Sequence, residues 1–493
     1  MVRFLRIVGR VALGVLVFGL AITCLVFAVH RMQVHRLRIL AHTPVQRYVV
    51  ESSPYFVLKD ASVIDGTGSQ ERKEQSIVVR DGKIAWIGAS SAMTAQPGAK
   101  ILDLHGSTVI PGLVMLHEHL FTTGVGNQLV QQAVTFPLLY LAAGVTTART
   151  AGSIDPVSDL QIKRRVDAGE QPGPDLFLTA PYLEGAPSAY SQMRALTGPE
   201  DAKRIVDADV VQGFTSFKAY TDITPGELLA AINEAHAKSA KLTGHLCSIS
   251  YTQAASMGID NLEHGLLTDS EFFSGKQPNV CPPMLAYLME YRDKLDIHSP
   301  QVAAMMDTLI AHHIALTSTL AVLESEFGGD IPAWYSEREK NSLIWKSWLI
   351  AQLSKRSMKR YHWEPLFDKE LQFEAEFARR GGTLLAGADP TGDRSVLAGY
   401  ADLREIELLK KAGFTVPQAI QIATLNGATF LGIADRTGSI EVGKQADMVI
   451  INGDPAQQIT DIRNVQTVFR QGKGYDSKKM FGDVTGVVGL RDE

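Results

Sequence analysis

Short apolar segments typical of buried β-strands alternate with helical segments through the middle of the chain. The strand segments are Val109–Leu116, Val145–Arg149, Asp175–Ala180, Thr215–Tyr220, Leu242–Leu246, Asp260–His264, Ala315–Leu320 and Thr383–Asp389. Helical segments lie between them, for example Pro225–Ala240, Gln301–His313, Ser357–Arg380 and Gly399–Ala412. Strands that alternate with helices in this way favour a parallel sheet covered by helices. Eight such strands predict an α/β fold, a (β/α)8 barrel of the TIM type.

The two ends of the chain have a different, β-rich pattern. Near the start, Ser76–Arg80 and Lys83–Ile87 flank an Asp81-Gly82 turn, which is typical of a tight hairpin. Similar short strands return near the end of the chain. We therefore expect one β-sandwich built from both ends. The predicted organisation is an anchor and basic linker over residues 1–52, the first part of the sandwich over 53–108, the barrel over 109–430 with an insertion around 270–372, and the second part of the sandwich over 431–493.

The N-terminal region faces a different environment from the body. Val11–Val29 is a run without a charged residue, long enough as a helix to cross a bilayer core of about 30 Å. We expect a single uncleaved transmembrane helix with the catalytic body outside the cytoplasm, for example in a periplasm. A cleaved signal peptide and a buried soluble helix are the alternatives, and arginines at both ends leave the orientation open.

The distribution of charge along the chain bears on whether the protein can bind nucleic acid. The net charge is −5, and the first 50 residues contain seven arginines but no acidic residue, so the body is acidic. A general nucleic-acid-binding surface is therefore not expected. Three cysteines exclude a scaffold built from disulfides, and we expect Cys247 and Cys281 to be free packing residues. The oligomeric state stays open.

Polar residues follow or end several of the predicted barrel strands. In a barrel of this type the carboxyl ends of the strands carry the chemistry. His117 and His119 are two positions apart and can point to the same face, where two imidazoles can bind one metal ion. The full set of candidate ligands is His117, His119, Lys218, His245, His264 and Asp389. Each residue alone is weak evidence, but the whole set at the strand ends predicts a metal site.

These residues and three further motifs resemble the amidohydrolase superfamily. The motifs are Ile110-Pro111-Gly112-Leu113 before His117-Glu118-His119, the segment Ala423-Thr424-Leu425-Asn426-Gly427-Ala428, and the tail Gly438-Ser439-Ile440-Glu441-Val442-Gly443-Lys444-Gln445-Ala446-Asp447. The resemblance covers about residues 54–475. One position departs from it, because the family usually has an Asp where this chain has Met115.

The resemblance implies a binuclear metal-dependent hydrolase. In members that keep the strand-4 lysine, its carbamate bridges two divalent metals, with zinc as the expected ion here. His117, His119 and Asp389 would hold one metal, His245 and His264 the other, and a carbamylated Lys218 would bridge them. Two metals would generate a hydroxide that attacks the substrate carbonyl. Asp389 would move the proton, and Tyr220 would donate to the oxyanion.

The resemblance also bears on the substrate. Residues 143–147 and 261–265 are similar to the imidazolonepropionase-like branch, which includes Xaa-Pro dipeptidases. We expect hydrolysis of an amide bond in a small molecule, either a dipeptide or an N-acyl amino acid. Arg149 could pair with a substrate carboxylate or with a structural partner. The alternatives are a mononuclear cyclic-amide hydrolase or deaminase, and a membrane-tethered binding protein without catalysis.

Overall fold

The computed structural model describes residues 2–490 except 95, 124–127, 189, 191, 329–330, 360 and 392–395. For residues 2–16, 350 and 354–359 it describes the backbone only. The helices are α1 Val2–Ala41, α2 Thr135–Ala143, α3 Pro156–Asp167, α4 Pro199–Gln212, α5 Pro225–Ala237, α6 Tyr251–Met257, α7 Met284–Lys294, α8 Pro300–Ala311, α9 Leu320–Phe327, α10 Ala333–Ser342, α11 Trp345–Lys359, α12 Glu364–Arg379, α13 Tyr400–Ala412, α14 Val416–Gln421, α15 Gly427–Phe430 and α16 Ser477–Asp483. The strands are β1 Val49–Glu51, β2 Tyr55–Val63, β3 Arg72–Arg80, β4 Lys83–Ala89, β5 Lys100–Asp103, β6 Ser107–Pro111, β7 Leu113–Glu118, β8 Phe121–Thr123, β9 Leu129–Gln131, β10 Val145–Thr150, β11 Asp175–Phe177, β12 Ser216–Ala219, β13 Lys241–Gly244, β14 Asn261–Glu263, β15 Ala315–Ser318, β16 Leu384–Ala386, β17 Met448–Asn452, β18 Val465–Arg470 and β19 Lys473–Asp476.

The centre of the fold is α/β, with parallel strands at all the predicted places. One parallel sheet has the order β11-β10-β7, and another has the order β12-β13-β14-β15-β16. Parallel bridges from Thr179 to Ser216 and from Leu183 to Ala219 join the two sheets. After β16, the backbone N–H of Asp389 donates to the carbonyl of His117 at 3.0 Å. The end of the last central strand therefore lies against the first.

The first predicted strand, Val109–Leu116, was placed as one element and is in fact two. β6 pairs with β17 at one end of the molecule, whereas β7 pairs with β10 in the centre. The break falls at Gly112, where a Cβ atom would lie 2.1 Å from Oγ1 of Thr146. Only glycine allows this close approach, so the chain can pass there from one sheet to the other.

Both ends of the chain contribute to one nine-stranded sheet. Its main order is β1-β19-β18-β17-β6-β2-β3-β4, and β5 pairs with β2. The strands are hydrogen-bonded as a single sheet, whereas two sheets of a sandwich were expected. The Phe56 and Phe469 rings stack at 5.1 Å, and Lys83 bridges to Gln445, so the sheet curves around an interior of its own.

The tail motif joins the two ends of the chain and the central strands. Gly112 N–H donates to the Asp447 carbonyl at 2.9 Å, and the Asp447 carboxylate accepts from Thr437 Oγ1 and from the backbone of Gln471. Asn426, in the preceding motif, donates from Nδ2 to the carbonyl of Leu384 in β16 at 2.9 Å. Both motifs therefore hold backbone segments in place rather than supply reactive side chains.

Helix α1 is longer than the predicted span. Within the described residues it is the one helix long and apolar enough to cross a membrane, over Val17–Ala41, and residues 17–36 of that stretch are not buried against the body. Residues 30–52 were expected to be a linker, but the helix continues to Ala41 and β1 then joins the nine-stranded sheet. Leu37 and Leu40 are buried. Burial of these two leucines explains why the helix continues onto the body.

The predicted insertion around 270–372 is not one continuous addition. It includes α8 and β15, which belong to the central alternation of helices and strands. The additional helices are α10 and α11, between β15 and α12. Trp363, in the same region, is buried and lies edge-on to Phe327 at 5.7 Å.

The prediction that Cys247 and Cys281 are free was wrong. Their Cα atoms are 4.9 Å apart and their sulfur atoms are bonded. The bond joins the segment after β13 to the segment before α7, near His245. Lys276 lies beside this link and donates to the carbonyls of Cys247 and Ser248.

Candidate metal centre

The structure brings the six predicted ligands together at the carboxyl ends of the central strands. They are His117 in β7, His119 just after it, Lys218 in β12, His245 after β13, His264 after β14 and Asp389 after β16. Burial of so many polar side chains requires partners for each of them. Parallel strands bring their carboxyl ends to one edge, which explains why residues far apart in sequence meet here.

His117, His119 and Asp389 form the tightest group. Their potential ligand atoms all lie within 4.8 Å of one another. Asp389 Oδ1 is 2.9 Å from His119 Nε2 and 3.6 Å from His117 Nε2. Asp389 Oδ1 nevertheless has no hydrogen bond of acceptable geometry to a described residue. Two nitrogens and one oxygen thus converge without saturating one another.

Lys218, His245 and His264 lie next to this tight group. Lys218 Nζ is 3.2 Å from His117 Nε2, and the His264 ring lies 4.5 Å from the His117 ring. The His245 and His264 rings are 4.6 Å apart. Tyr220 lies next to His245 at 4.7 Å between ring centroids. The arrangement therefore extends from the tight group through His264 to His245 and Tyr220.

Glu263 is a functional residue that the sequence interpretation missed. Its Oε2 lies 2.6 Å from His117 Nδ1, and its Oε1 accepts from Arg149 at 3.2 Å. A hydrogen bond to Nδ1 fixes the orientation of the ring and leaves Nε2 free to bind a metal. Glu263 immediately precedes His264 in the sequence, and this position was the only signal that could have revealed it.

Arg149 has a structural role rather than contact with substrate. It is 1% exposed, and its guanidinium donates to Ser216 Oγ, the Leu116 carbonyl, Thr243 Oγ1 and Glu263. These contacts use most of its N–H groups, since a guanidinium has five. Of the two roles considered for Arg149, these contacts support pairing with structural partners rather than with a substrate carboxylate.

Two of the site residues have left-handed backbones. The φ angles are 68° at His264 and 49° at Asp389, a region that non-glycine residues rarely occupy. In a regular strand Glu263 and His264 would point to opposite faces. The turn at His264 places both side chains near His117. His264 Nδ1 also lies 2.8 Å from Thr319 Oγ1, which helps to fix its ring.

Burial and charge both influence protonation in the centre. Burial, aided by Lys218, lowers the pKa of His117 to about 4, so its imidazole is neutral near pH 7. Burial alone would raise the pKa of Asp389, but attraction to His117 and His119 outweighs it and holds this pKa well below its usual range. Neutral imidazoles and an ionised carboxylate are the forms that bind a metal ion.

The residues present fit a metal ion. Asp389 Oδ1 is a buried atom without a hydrogen-bond partner among the described residues, and it lies 2.9 Å from His119 Nε2. Imidazole nitrogens and a carboxylate oxygen are the donor set that zinc and related divalent ions prefer. A cation held by His117, His119 and Asp389 would satisfy the carboxylate oxygen that the protein leaves unpaired.

A second buried cluster lies behind the centre, at the end of β15. Ser318 Oγ is 2.7 Å from Glu374 Oε2 and 2.6 Å from Glu405 Oε1. One hydroxyl has a single hydrogen to donate, so one of the two carboxyls must itself be protonated. Burial raises the pKa of Glu405 to about 7 and also raises that of Glu374.

Glu405→Gln is expected to change how stability depends on pH. The folded-state pKa of Glu405 lies above its unfolded value of about 4.3, so its contribution to stability declines as pH rises from about 4 to about 7. Removing the ionisable group should raise the melting temperature relative to the parent at pH 8 more than at pH 5. Thermal unfolding at several pH values measures this. Glu376→Gln, on the same helix as Glu374, is the control: Arg379 holds the pKa of Glu376 below its usual value, so this variant should show no such trend between these pH values. Parallel curves for Glu405→Gln would contradict the assignment.

Comparisons with known proteins agree with this picture. Residues 396–474 match the amidohydrolase family. Imidazolonepropionase from Sphingopyxis alaskensis is 24% identical over 404 residues, which are 78% of this chain and 88% of that protein. A Xaa-Pro dipeptidase structure with bound methionine superposes with a TM-score of 0.64 at 18% identity, covering 86% of this chain and all of the other. Bottromycin amidohydrolase superposes with a TM-score of 0.64 at 19% identity over 93% of this chain and 94% of the other.

The fold and the centre define an α/β enzyme with its reactive side chains at the carboxyl ends of parallel strands. The chain is similar to the amidohydrolase family over residues 396–474 and to imidazolonepropionase over most of its length, and these similarities indicate a hydrolase that acts on carbon–nitrogen bonds.

Proposed function

We propose that the protein is a binuclear metal-dependent amidohydrolase that cleaves an amide bond in a dipeptide or an N-acyl amino acid. The observation that carries this proposal is the convergence of His117, His119, Lys218, His264 and Asp389, with His245 next to His264. The first metal would be held by His117, His119 and Asp389, and the second by His245 and His264. Bound divalent ions, expected to be zinc, would lower the pKa of a water molecule and polarise the substrate carbonyl.

The protein's own side chains have distinct roles in this proposal. Asp389 is ionised and lies at contact distance from His119, so it can accept a proton from the attacking water and return it to the leaving amine. Burial raises the pKa of Tyr220 well above its usual value, so its hydroxyl keeps its proton. That hydroxyl can therefore donate a hydrogen bond to the oxyanion that develops on the substrate.

Lys218 supports the binuclear form through its surroundings. It is fully buried, and no carboxylate of the described residues lies within 4.0 Å of its Nζ. A buried ammonium without an ion pair is unfavourable. Reaction of the neutral amine with carbon dioxide releases a proton and gives a carbamate. That anion suits a position between two sets of histidines.

The substrate class is supported by the relatives as well as by the centre. The superposed structures include a Xaa-Pro dipeptidase and bottromycin amidohydrolase. A dipeptide and an N-acyl amino acid share a secondary or tertiary amide next to a carboxylate. Because Arg149 is buried and paired within the protein, recognition of that carboxylate must come from other residues.

The overall architecture and placement form part of the same proposal. We infer that the eight central strands close into a (β/α)8 barrel, because Asp389 bonds across to His117. We also infer that α1 spans a membrane and holds the body outside the cytoplasm. The disulfide between Cys247 and Cys281 supports this placement, since such bonds persist in oxidising compartments.

The test combines metal content with a substrate panel. The full chain, prepared from membranes and reloaded with zinc, is expected to hold two metal ions by elemental analysis and to hydrolyse members of a panel of dipeptides and N-acyl amino acids. Its retention in carbonate-washed membranes checks the anchor. His117→Ala should lose metal and turnover, whereas His298→Ala, an exposed histidine, should change neither. Turnover of lactones or heterocycles alone would overturn the substrate class.

A mononuclear cyclic-amide hydrolase or deaminase is the second candidate. The observation in its favour is that only His117, His119 and Asp389 form a compact ligand group among the described residues. The match to imidazolonepropionase also supports this second candidate. One metal ion per chain, an unmodified Lys218 by mass spectrometry and cleavage of a cyclic substrate would establish this candidate instead.

A further inference from the structure

A crevice of about 580 Å³ that shares no lining residue with the metal centre lies between α10, α13 and α16. This volume is within the range of pockets that hold small ligands, about 300–1,000 Å³. Its apolar part includes Trp334, Tyr400, Leu403 and Phe481, and the Tyr400 and Phe481 rings stack at 4.5 Å. Nothing in the proposed hydrolysis uses this crevice.

The charge of the crevice has one sign. Arg338, Arg463 and Lys478 line it, and no carboxylate does so among the described residues. Arg463 pairs with Glu407 and stacks over the Trp334 ring at 4.3 Å. Arg338 and Lys478 are exposed and make no ion pair within the described part of the chain. Two cations are therefore available at the rim.

The crevice combines two chemical features. Its floor is apolar, and two cations at its rim are free of ion pairs among the described residues. Together these features suit an acyl chain with an anionic head.

The position of the crevice relative to α1 indicates the source of such a ligand. Gly482 and Thr485 line the crevice, and the adjacent Gly486 carbonyl accepts from Gln33 Nε2 at 2.8 Å. Gln33 lies four residues beyond Val29, the end of the uncharged run, or about 6 Å along the helix. The headgroup layer of a bilayer extends about 5–8 Å beyond its hydrocarbon core. The rim of the crevice therefore lies at the depth of lipid headgroups if α1 spans the membrane.

We propose that this crevice binds an anionic membrane lipid, with its phosphate between Arg338 and Lys478 and an acyl chain against Trp334, Tyr400 and Phe481. The proposal depends on the proposed membrane placement but not on the hydrolytic reaction. A lipid held here would fix the body against the bilayer surface, because α16 also contacts the segment after α1 through Asp483 and Arg47.

The test uses the full chain in phosphatidylcholine nanodiscs that contain increasing amounts of brominated phosphatidylglycerol, which quenches tryptophan fluorescence on contact. Brominated phosphatidylcholine provides the neutral comparison. We expect saturable quenching by the anionic lipid, and Trp334→Phe should remove the saturable part. Each of Arg338→Ala and Lys478→Ala should raise the half-saturating lipid fraction about 5-fold. Lys340→Ala, on the same helix but outside the crevice, should leave it unchanged.

Each other outcome has a defined meaning. Equal quenching by both lipids, or an effect of Lys340→Ala equal to that of Arg338→Ala, would show only a general attraction to the surface and would overturn the site. Binding of octanoate with the same dependence on Arg338 and Lys478, without a response to phosphatidylglycerol, would overturn the lipid assignment in favour of a soluble acyl anion. Metal content and amide hydrolysis are measured separately, so failure here is distinguishable from failure of the proposed function.

Discussion

Asp389→Asn should lower kcat/KM for amide hydrolysis by at least about 1,000-fold. Asp389 reaches three histidines, with its oxygens 2.9 Å from His119, 3.6 Å from His117 and 3.8 Å from His264. The amide keeps the shape but removes the negative charge and the capacity to accept a proton. Steady-state kinetics on the best amide of the panel, together with elemental analysis of metal, measure the loss.

The control for this change is another aspartate on the surface. Asp435→Asn is exposed and distant from the centre, so its activity should stay within 2-fold of the parent. Equal melting temperatures would show that Asp389→Asn is folded. An Asp389→Asn protein that retained more than a tenth of the parent activity with full metal content would remove Asp389 from proton transfer.

The sequence predicted that the six side chains lie near one another, because each of them ends or follows a strand. Strand ends in an α/β fold meet at one edge, so His117, Lys218, His245, His264 and Asp389 could be placed together without coordinates. Their mutual distances could not be predicted. The left-handed backbone at His264 and Asp389 has no marker in the sequence, because both positions are occupied by residues other than glycine.

The parts that sequence interpretation missed depend on contacts between distant segments. In the sequence Glu263 is one more residue of a short strand, and only its distance to His117 distinguishes it. Cys247 and Cys281 are 34 residues apart, and spacing alone does not bring two sulfurs together. Residues 30–41 have the composition of a basic linker, and burial of Leu37 and Leu40 is what keeps them helical. In each case tertiary packing decided the outcome.

Glu263→Gln is expected to weaken metal binding by about 10- to 100-fold, although the side chain does not touch the metal position in our proposal. The carboxylate holds His117 through Nδ1 at 2.6 Å, and attraction to His117, Lys218 and Arg149 outweighs the effect of burial and keeps its pKa well below its usual range. Glutamine can still accept one hydrogen bond, but it removes the charge that pairs with buried Arg149. Competition with a chromogenic chelator measures the affinity without any substrate.

The same change should also lower stability in the absence of metal. Removing one partner of a buried pair leaves the other charge uncompensated, an effect of about 3 kcal/mol in other proteins. Thr319→Val provides a matched comparison, because it removes the contact to His264 Nδ1 at 2.8 Å without exposing a charge. It should weaken metal binding with a smaller loss of stability. An unchanged metal affinity and an unchanged melting temperature of the metal-free chain would show that Glu263 does not orient His117. The orientation of His117 would then have to come from its backbone alone.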